Sequence, residues 1–552
     1  MEKRLLLVFA LTFIVILAFQ PILKKYLPTP PPPASQAAPE KNRQATSGGS
    51  PEVSQAPAAV PVVTSGSARQ AKAEAPLVIE NDIYRITFSN RGALVKSWIV
   101  KKFEDDNGHP LELVNTAAAQ QYGYPMSLFA YDESLRNKLN SALYITESSG
   151  TLKTPVEVSF EYSDQDVAVR KTFKFDDTYV LHVDTAVTAK GAPVSAFPMW
   201  PSGFGDETST ASYAAAKIEY QFNSNVERLT AKKVSSGATI KGPFNWASVN
   251  DQYFAAVFLP DNASDANLIT LHNGLDVPKD PKNPQDTTKV DVLGAAVGSL
   301  SGTSSQRVFV GPKSLNVLES VHIAGMGSAD PDLRQLIDYG WLGVLSRPLF
   351  LWLKWTYAHI VPNWGWAIVV QTLIISLALL PLRISSMKSA LKMAKVQPQM
   401  KAIQERYKKY SMRDPKKQEM NAEIAALMKS EGVSPAGGCV PLIIQMPFLF
   451  AYYRMLGVAI ELRHAHWLWI SDLSARDPYY ILPILLIVSM LLTQRMTPQT
   501  GMDPSQQKMM NVMMPLFMGF IFFNLAAGLT LYYGESNLVG IIQQMVMNRT
   551  SL

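Results

Sequence analysis

The residues that could carry chemistry stand where polar side chains are rare, inside long apolar runs. Gln371, Thr372 and Ser376 interrupt the run that begins at Asn363-Trp-Gly365 and ends at Pro381-Leu-Arg383. Gln445, Met446 and Arg454 lie within 439–460, and Tyr533, Glu535, Ser536 and Asn537 lie within 509–547. Such groups solvate; they do not make or break bonds. A polar group unsatisfied in hydrocarbon costs several kcal/mol, so it faces a partner or a hydrated interior. Thr372 and Ser376 are four residues apart and share a helix face, and Arg383, seven beyond Ser376, lies ~10 Å along nearly the same face. Gln371, Thr372, Ser376, Gln445, Met446, Tyr533 and Glu535 are therefore candidates for the lining of a hydrated substrate groove, with Arg383 as a charge at its mouth. Against this stands a plainer reading, in which each polar group bonds backbone or headgroup separately and Arg383 snorkels to the interface. Glu535, if it faces inward, needs a proton or a cationic partner such as Arg383 or Arg454.

Covalent chemistry is not signalled. The chain has no phosphate-binding Walker loop, no GxSxG elbow and no HExxH pair. One cysteine, Cys439, and seven scattered histidines exclude a disulfide framework, a Cys-rich zinc site and an iron–sulfur cluster held by this chain alone. The expectation is no catalytic residue, no metal and no cofactor. A second candidate group is electrostatic: Lys408, Lys409, Lys416 and Lys417 lie in 383–435, which holds 12 bases and 5 acids.

The elements that must position these residues follow from composition. The chain has 552 residues, 47% hydrophobic and only 17% charged, with net charge +6. A soluble domain carries roughly 25% charge, so the chain reads as half soluble and half membrane protein. Residues 346–552 carry net +10 and 1–345 net −4. The basic segment sits between apolar runs, the pattern of a cytoplasmic loop. Lys3-Arg4 before Leu5–Phe19 reads as an uncleaved signal anchor, residues 1–23. Residues 28–76 hold ten prolines in 49 positions, and 24–76 reads as a disordered Pro/Ala-rich tether.

From 77 to 325 the pattern turns to short strand-like runs, among them Leu77–Ile79, Tyr84–Phe88, Val156–Tyr162, Ala168–Phe175, Tyr179–Ala186, Gln252–Leu259 and Val308–Val310. Turn residues such as Asn90-Arg-Gly92 and Asp106-Asn-Gly108 separate them, without regular intervening helices, which predicts an antiparallel β-sandwich. Five tryptophans between 341 and 366 mark 338–360 as an interfacial amphipathic helix. A spanning helix over 361–383 follows. Segment 384–435 predicts a cytoplasmic basic hairpin of two helices, with Ile384, Met387, Leu391 and Ala394 on one inner face and Met420, Ile424 and Leu427 on the other. Pro398 should kink its first helix, and Asp414-Pro415 should break the two apart. Four more spans fill 436–547, with a tight turn at Asn524–Gly528, and a short tail covers 548–552. The fold class is a polytopic all-α membrane core of six transmembrane helices with the hairpin, joined to an all-β domain. Both termini lie on the cytoplasmic side.

These residues resemble the YidC family of membrane protein insertases, in the Gram-negative form with a large periplasmic domain. The matching stretches are Asp338-Tyr-Gly-Trp341, Pro348-Leu-Phe350, Asn363-Trp-Gly365, Gln397-Pro398, Ser434-Pro-Ala-Gly-Gly-Cys439, Gln445-Met-Pro447, Asp472-Leu-Ser474, Asp477–Pro483, Pro504, Gln506-Gln507, Leu531-Tyr-Tyr533 and Ser536-Asn537. The resemblance implies a protein of the bacterial inner membrane that helps newly made membrane proteins insert and fold, alone or beside the Sec translocon, without nucleotide or covalent intermediate. It implies nascent membrane proteins, the Sec translocon, the phospholipid bilayer and, through the hairpin, the ribosome as partners, and no specific nucleic acid. It departs from the family at three places: the family usually has an arginine midway along the second span where this chain has Ser376, a proline of the turn between the last two spans is replaced by Ala526, and Glu535 looks like a local addition. Competing readings are a transporter or channel using the polar groove, against which no inverted repeat is visible, and an anchored carbohydrate-binding module, for which six spans are too many.

Overall fold

The computed structural model describes residues 68–222, 225–280, 283–321, 332–410, 414–432, 440–496 and 509–550. The expected signal anchor, nearly all of the tether, the Ser434–Cys439 stretch and the 497–508 loop lie outside them.

The N-terminal part is built from three sheets. One pairs, in order, Pro110–Glu112, Leu94–Glu104, Tyr84–Ser89, Pro76–Glu80 and Gly150–Lys153, and its last pair is parallel. The largest runs from Asn225–Thr230 through Lys217–Phe222, Ala247–Asn250, Phe254–Pro260, Thr303–Pro312, Val180–Ala189 and Val167–Phe175 to Val156–Ser163, antiparallel throughout. The third is dominated by the hairpin of Ala266–Asp280 and Asn283–Ser299, flanked by Thr239–Lys241 and by Phe197–Trp200 with Leu128–Phe129. Alternating apolar residues meet between sheets: Phe88 lies 5.7 Å from Phe160 and 5.0 Å from Phe173, and Trp98 packs edge-on to Trp200 at 5.8 Å. Each such aromatic buries ~150–250 Å². Gly92 has φ +70°, and a Cβ there would strike the Asn140 carbonyl, so the Asn90-Arg-Gly92 turn requires its glycine.

The structure corrects the sequence reading in three places here. Short helices do intervene, at Thr116–Tyr122, Glu133–Ser141 and Thr210–Ala215, capped by Asn115, Asp132 and Ser209. The long hairpin at 266–299 was not expected. Its Pro278 sits beside a register shift close to the turn, where a missing N–H costs no central ladder bond. The 303–312 strand is also longer than the Val308–Val310 run.

The C-terminal part is helical: α1 (Gly343–His359), α2 (Trp364–Ala378), α3 (Leu380–Arg406), α4 (Pro415–Ser430), α5 (Val440–Val458), α6 (Ile481–Met496), α7 (Met514–Phe522) and α8 (Ala527–Thr550). Trp341 and Val344 at the head of α1 are 79% and 91% exposed. The break after α2 falls at Leu379, not at 383, and Pro381, which lacks an N–H, stands in the first turn of the next helix where that donor is not needed. Arg383 thus belongs to the long helix α3, which continues through Pro398. α4 starts at the expected breaker, with Asp414 capping the Lys416 N–H at 3.0 Å and Pro415 in the first turn. Met393, Val396, Met400 and Ile403 face Ile424 inside the hairpin, one phase away from the expected Ile384, Met387, Leu391 and Ala394. The turn at 523–526 lies where the Asn524–Gly528 signal put it, and α8 runs on to Thr550 through most of the expected tail. Among the described residues no single helix is long and apolar enough to cross a membrane. The pair Gly340–His359 and Trp364–Ala378, bent by 119°, is long and apolar enough when taken together.

The two parts meet at Asp338. Its Oδ2 lies 2.9 Å from Lys217 Nζ, 4.0 Å from Arg228 Nε and 3.1 Å from Arg454 Nη2, and its Oδ1 accepts the Gly340 N–H at 3.0 Å. Burial opposes ionisation, but the bond from Lys217 and the charges of Lys217 and Arg228 hold its carboxyl well below the usual carboxylate range. That stabilisation is full above the unfolded carboxylate value near pH 4 and is lost as pH falls through the lower folded value. Asp338→Asn should lower stability by about 2–4 kcal/mol and remove most of the acid sensitivity of the junction. Thermal unfolding of the detergent-solubilised protein between pH 3 and 7 measures both.

Candidate substrate groove and its polar cluster

Asn363 caps α2, accepting from the Trp366 N–H at 3.1 Å and donating to the His466 carbonyl at 2.9 Å. Two residues on, a Cβ at Gly365 would collide with the Trp467 ring. The helix is therefore pinned against the 463–477 loop at its start. That loop is itself braced: Asp477 accepts from the Leu482 N–H at 2.7 Å and from Trp469 Nε1 at 3.2 Å. The Ala475 and Leu473 carbonyls take the first N–H groups of α8, from Ala527 at 2.7 Å and Gly528 at 2.9 Å.

From this frame the polar residues of α2 point into packed protein. Gln371, Thr372 and Ser376 are 0%, 1% and 2% exposed. Gln371 donates to the Leu349 carbonyl at 2.9 Å and accepts from the Tyr452 hydroxyl. Thr372 bonds back to the Ile368 carbonyl at 2.7 Å. Tyr452 stacks on Tyr532, ring centroids 3.9 Å apart. Tyr533 stacks on Phe522 at 5.2 Å. Gln371 and Thr372 thus form a satisfied hydrogen-bonded knot between α1, α2 and α5.

A different set forms the open cluster. Arg383 turns inward from α3: Nη2 reaches Ser536 Oγ at 3.1 Å and Nη1 reaches Gln543 Oε1 at 3.2 Å and the Ser536 carbonyl at 3.5 Å. Gln445 of α5 donates to the same Ser536 Oγ at 3.2 Å. Gly540 admits the guanidinium, since a Cβ there would sit 3.2 Å from Arg383 Nη1. Ser536, Gly540 and Gln543 follow the i, i+4, i+7 spacing of one helix face. That spacing could have marked Gln543, which the sequence reading missed. Met446 is 37% exposed and, with Phe450 and Tyr453 at the same spacing, gives α5 an open apolar flank. Glu535 is half-buried, and its Oε2 has no partner; neither Arg383 nor Arg454 pairs with it.

The four hairpin lysines gather at one end. Lys408 and Lys409 follow α3, and Lys416 and Lys417 open α4. Lys408, Lys409 and Lys416 are exposed, and Lys416 Nζ lies over the Tyr410 ring at 4.7 Å. Among the described residues no three His, Cys, Asp or Glu side chains converge as metal ligands.

A β-rich body joined by half-buried ion pairs to a helical apolar bundle, with a cation held inside that bundle, defines a two-part protein. Residues 76–352 match the family model described as the YidC periplasmic domain, and residues 355–552 match that of the 60Kd inner membrane protein. The chain belongs to the YidC family, inner-membrane proteins with a periplasmic domain. It is similar to the membrane protein insertase YidC of Ralstonia nicotianae, 32% identical over 88% of this chain and 85% of that protein, and to that of Syntrophus aciditrophicus, 29% identical over the whole of both. A crystal structure of an active YidC insertase with its first transmembrane domain resolved is 20% identical, with a TM-score of 0.35, covering 88% of this chain and 94% of that one.

Tyr452→Phe should leave the Gln371 carbonyl without its donor and cost about 1–2 kcal/mol. Pairing it with Gln371→Leu should recover much of that loss, because both polar partners are then gone. A double-mutant cycle on thermal unfolding measures the coupling.

Proposed function

We propose that the chain is a membrane protein insertase of the inner membrane, acting on newly made membrane proteins. Membership of the family along both parts of the chain supports this, as does the name of the relatives, insertase and not an enzyme. The transporter reading draws no support from them. The observation that carries the mechanism is the inward Arg383, bonded to Ser536 and Gln543 and sharing Ser536 with Gln445. Where the resemblance leads one to expect an arginine, the chain has Ser376; Arg383, seven residues on and in the first turn of α3, supplies an inward cation instead.

In this proposal the groove lies among α3, α5 and α8. Arg383, Gln445 and Ser536 hydrate it, and Met446 supplies a soft apolar flank for the client's spanning segment. A polar segment entering it exchanges water for these groups instead of for hydrocarbon. Gln371, Thr372 and Ser376 act by holding α2 in place behind it, and Tyr533 backs α8 from the Phe522 side. Six spans, an N-terminus and C-terminus in the cytoplasm, the domain boundaries at 77–325 and 384–435, and partnership with the Sec translocon and the ribosome belong to the same proposal. The +7 segment between apolar runs supports the orientation.

Arg383→Gln should reduce insertion of a Sec-independent client about tenfold in proteoliposomes, with Arg383→Lys retaining more. Unchanged rates in a stably folded Arg383→Gln protein would end the relocated-charge account. For the hairpin, replacing Lys408, Lys409, Lys416 and Lys417 by Glu should weaken ribosome or client recruitment several-fold at low salt and little at 0.5 M, where screening is nearly complete. Co-sedimentation across a salt series reads this. Crosslinks from α5 and α7 to nascent apolar segments in cells test the insertase assignment itself.

A further inference from the structure

Glu535 is the acidic residue proposed for the groove, and among the described residues no ion pair answers it. Its Oε2 is buried without a hydrogen-bond partner, and no ion pair reaches its carboxylate. An ionised carboxylate in a membrane-spanning bundle is expensive unless paired. The two cations nearest in the fold are both committed elsewhere. Arg383 bonds Ser536, the very next residue of α8, yet a helix turns 100° between neighbours, so the guanidinium and the Glu535 carboxylate address different sides. Arg454 is held by Asp338 at the other end of α5.

The side Glu535 addresses is open. Leu538 and Ile542, three and seven residues further on, share its face and are 54% and 60% exposed. Gln445 of α5 bonds Ser536, the next residue of α8, so Glu535 stands beside the contact between α5 and α8 with an apolar strip running from it along α8. The arrangement offers one unpartnered carboxyl group at the head of an apolar track, beside a cation that faces the adjoining side.

We infer that Glu535 is a specificity-determining residue that receives a basic group, a lysine or arginine side chain or an α-amino group, on the polar segment of a client passing along the groove. This rests on the insertase reading and deepens it: Arg383 suits acidic segments, and Glu535 extends the same groove to basic ones. The pair being kept apart is part of the inference. A direct Arg383–Glu535 bridge would cancel both charges and leave neither for a client.

The test uses the full chain in proteoliposomes of phosphatidylethanolamine and phosphatidylglycerol. The clients are three versions of one single-span protein, whose short translocated tail carries two lysines, two aspartates or two serines. The wild-type chain is expected to translocate all three. Glu535→Gln, which preserves shape, should cut the lysine tail at least fivefold relative to the serine tail and leave the aspartate tail unchanged or improved. Glu535→Asp should keep most of the lysine-tail activity. An equal effect of Glu535→Gln on all three tails, or none on any, overturns the inference while leaving the insertase reading intact. Failure of the wild-type chain to insert any of the three overturns the insertase reading instead. A thermal-unfolding midpoint for Glu535→Gln at or above the wild-type value is expected, because the variant removes an unpaired charge. A clear drop would mean the carboxylate is structural and overturn the inference too.

Discussion

Three cations converge on one carboxylate at the boundary between the β body and the helices. Lys217 and Arg228 come from neighbouring strands of the largest sheet, Arg454 comes from α5, and Asp338 stands just before α1. Arg228 also lies 3.3 Å from Glu219, but without Asp338 Lys217 and Arg454 would lose their carboxylate partner in a half-buried place. With it, the sheet, the start of α1 and α5 share one fixed point. Gln252 adds a neutral bond to the Gly457 carbonyl at 2.8 Å close by. Everything else about the bundle is positioned outward from there, since α5 carries Tyr452, Met446 and Gln445 in succession away from the junction.

Away from that point the bundle sorts its polar groups by whether they are satisfied. The knot of Gln371, Thr372 and Tyr452 has its partners, is buried, and behaves as core. Such a network fixes which faces of α1, α2 and α5 meet, because any rotation strands a donor or acceptor in low dielectric. The Arg383 cluster is built differently. A guanidinium has five donors, and two neutral side chains and one carbonyl do not neutralise its charge. Glu535 lacks even that. A membrane protein keeps such groups where they meet a hydrated or transient partner, which is why the functional reading gathers on α3 and α8 and not on α2.

The loop at 463–477 gives these helices their ends. Asp472 ties Ser474, Asp477 ties Trp469 and the first turn of α6, and the loop's carbonyls take the opening N–H groups of α8. Trp467 fills the space that only Gly365 leaves on α2. Much of what resembles the family in this stretch is therefore mechanical: caps, close approaches and turn braces that hold α2, α6 and α8 at one level.

The sequence by itself determined the division into a β-rich part and a helical part, because strand alternation and long apolar runs are local patterns that burial enforces wherever they occur. It also determined the turns at Gly92 and Gly108, the break at Asp414-Pro415 and the bend at 523–526, since positive φ and a missing N–H act on one or two residues at a time. The long hairpin at 266–299 was hidden by its prolines and glycines, which weaken the strand signal where cross-strand pairing supplies the stability instead. The hairpin's inner face was misread by one phase, because periodicity gives the angle between apolar positions but not which neighbour they meet. Most polar residues of the apolar helices were visible, Gln543 excepted; their roles were not. Whether Gln371 lines a cavity or closes a knot, and whether Arg383 reaches a headgroup or Ser536, depends on the side chain opposite. Only the packing of α2, α3, α5 and α8 against one another decided that, because a hydrogen bond between helices far apart in sequence leaves no trace in either helix alone.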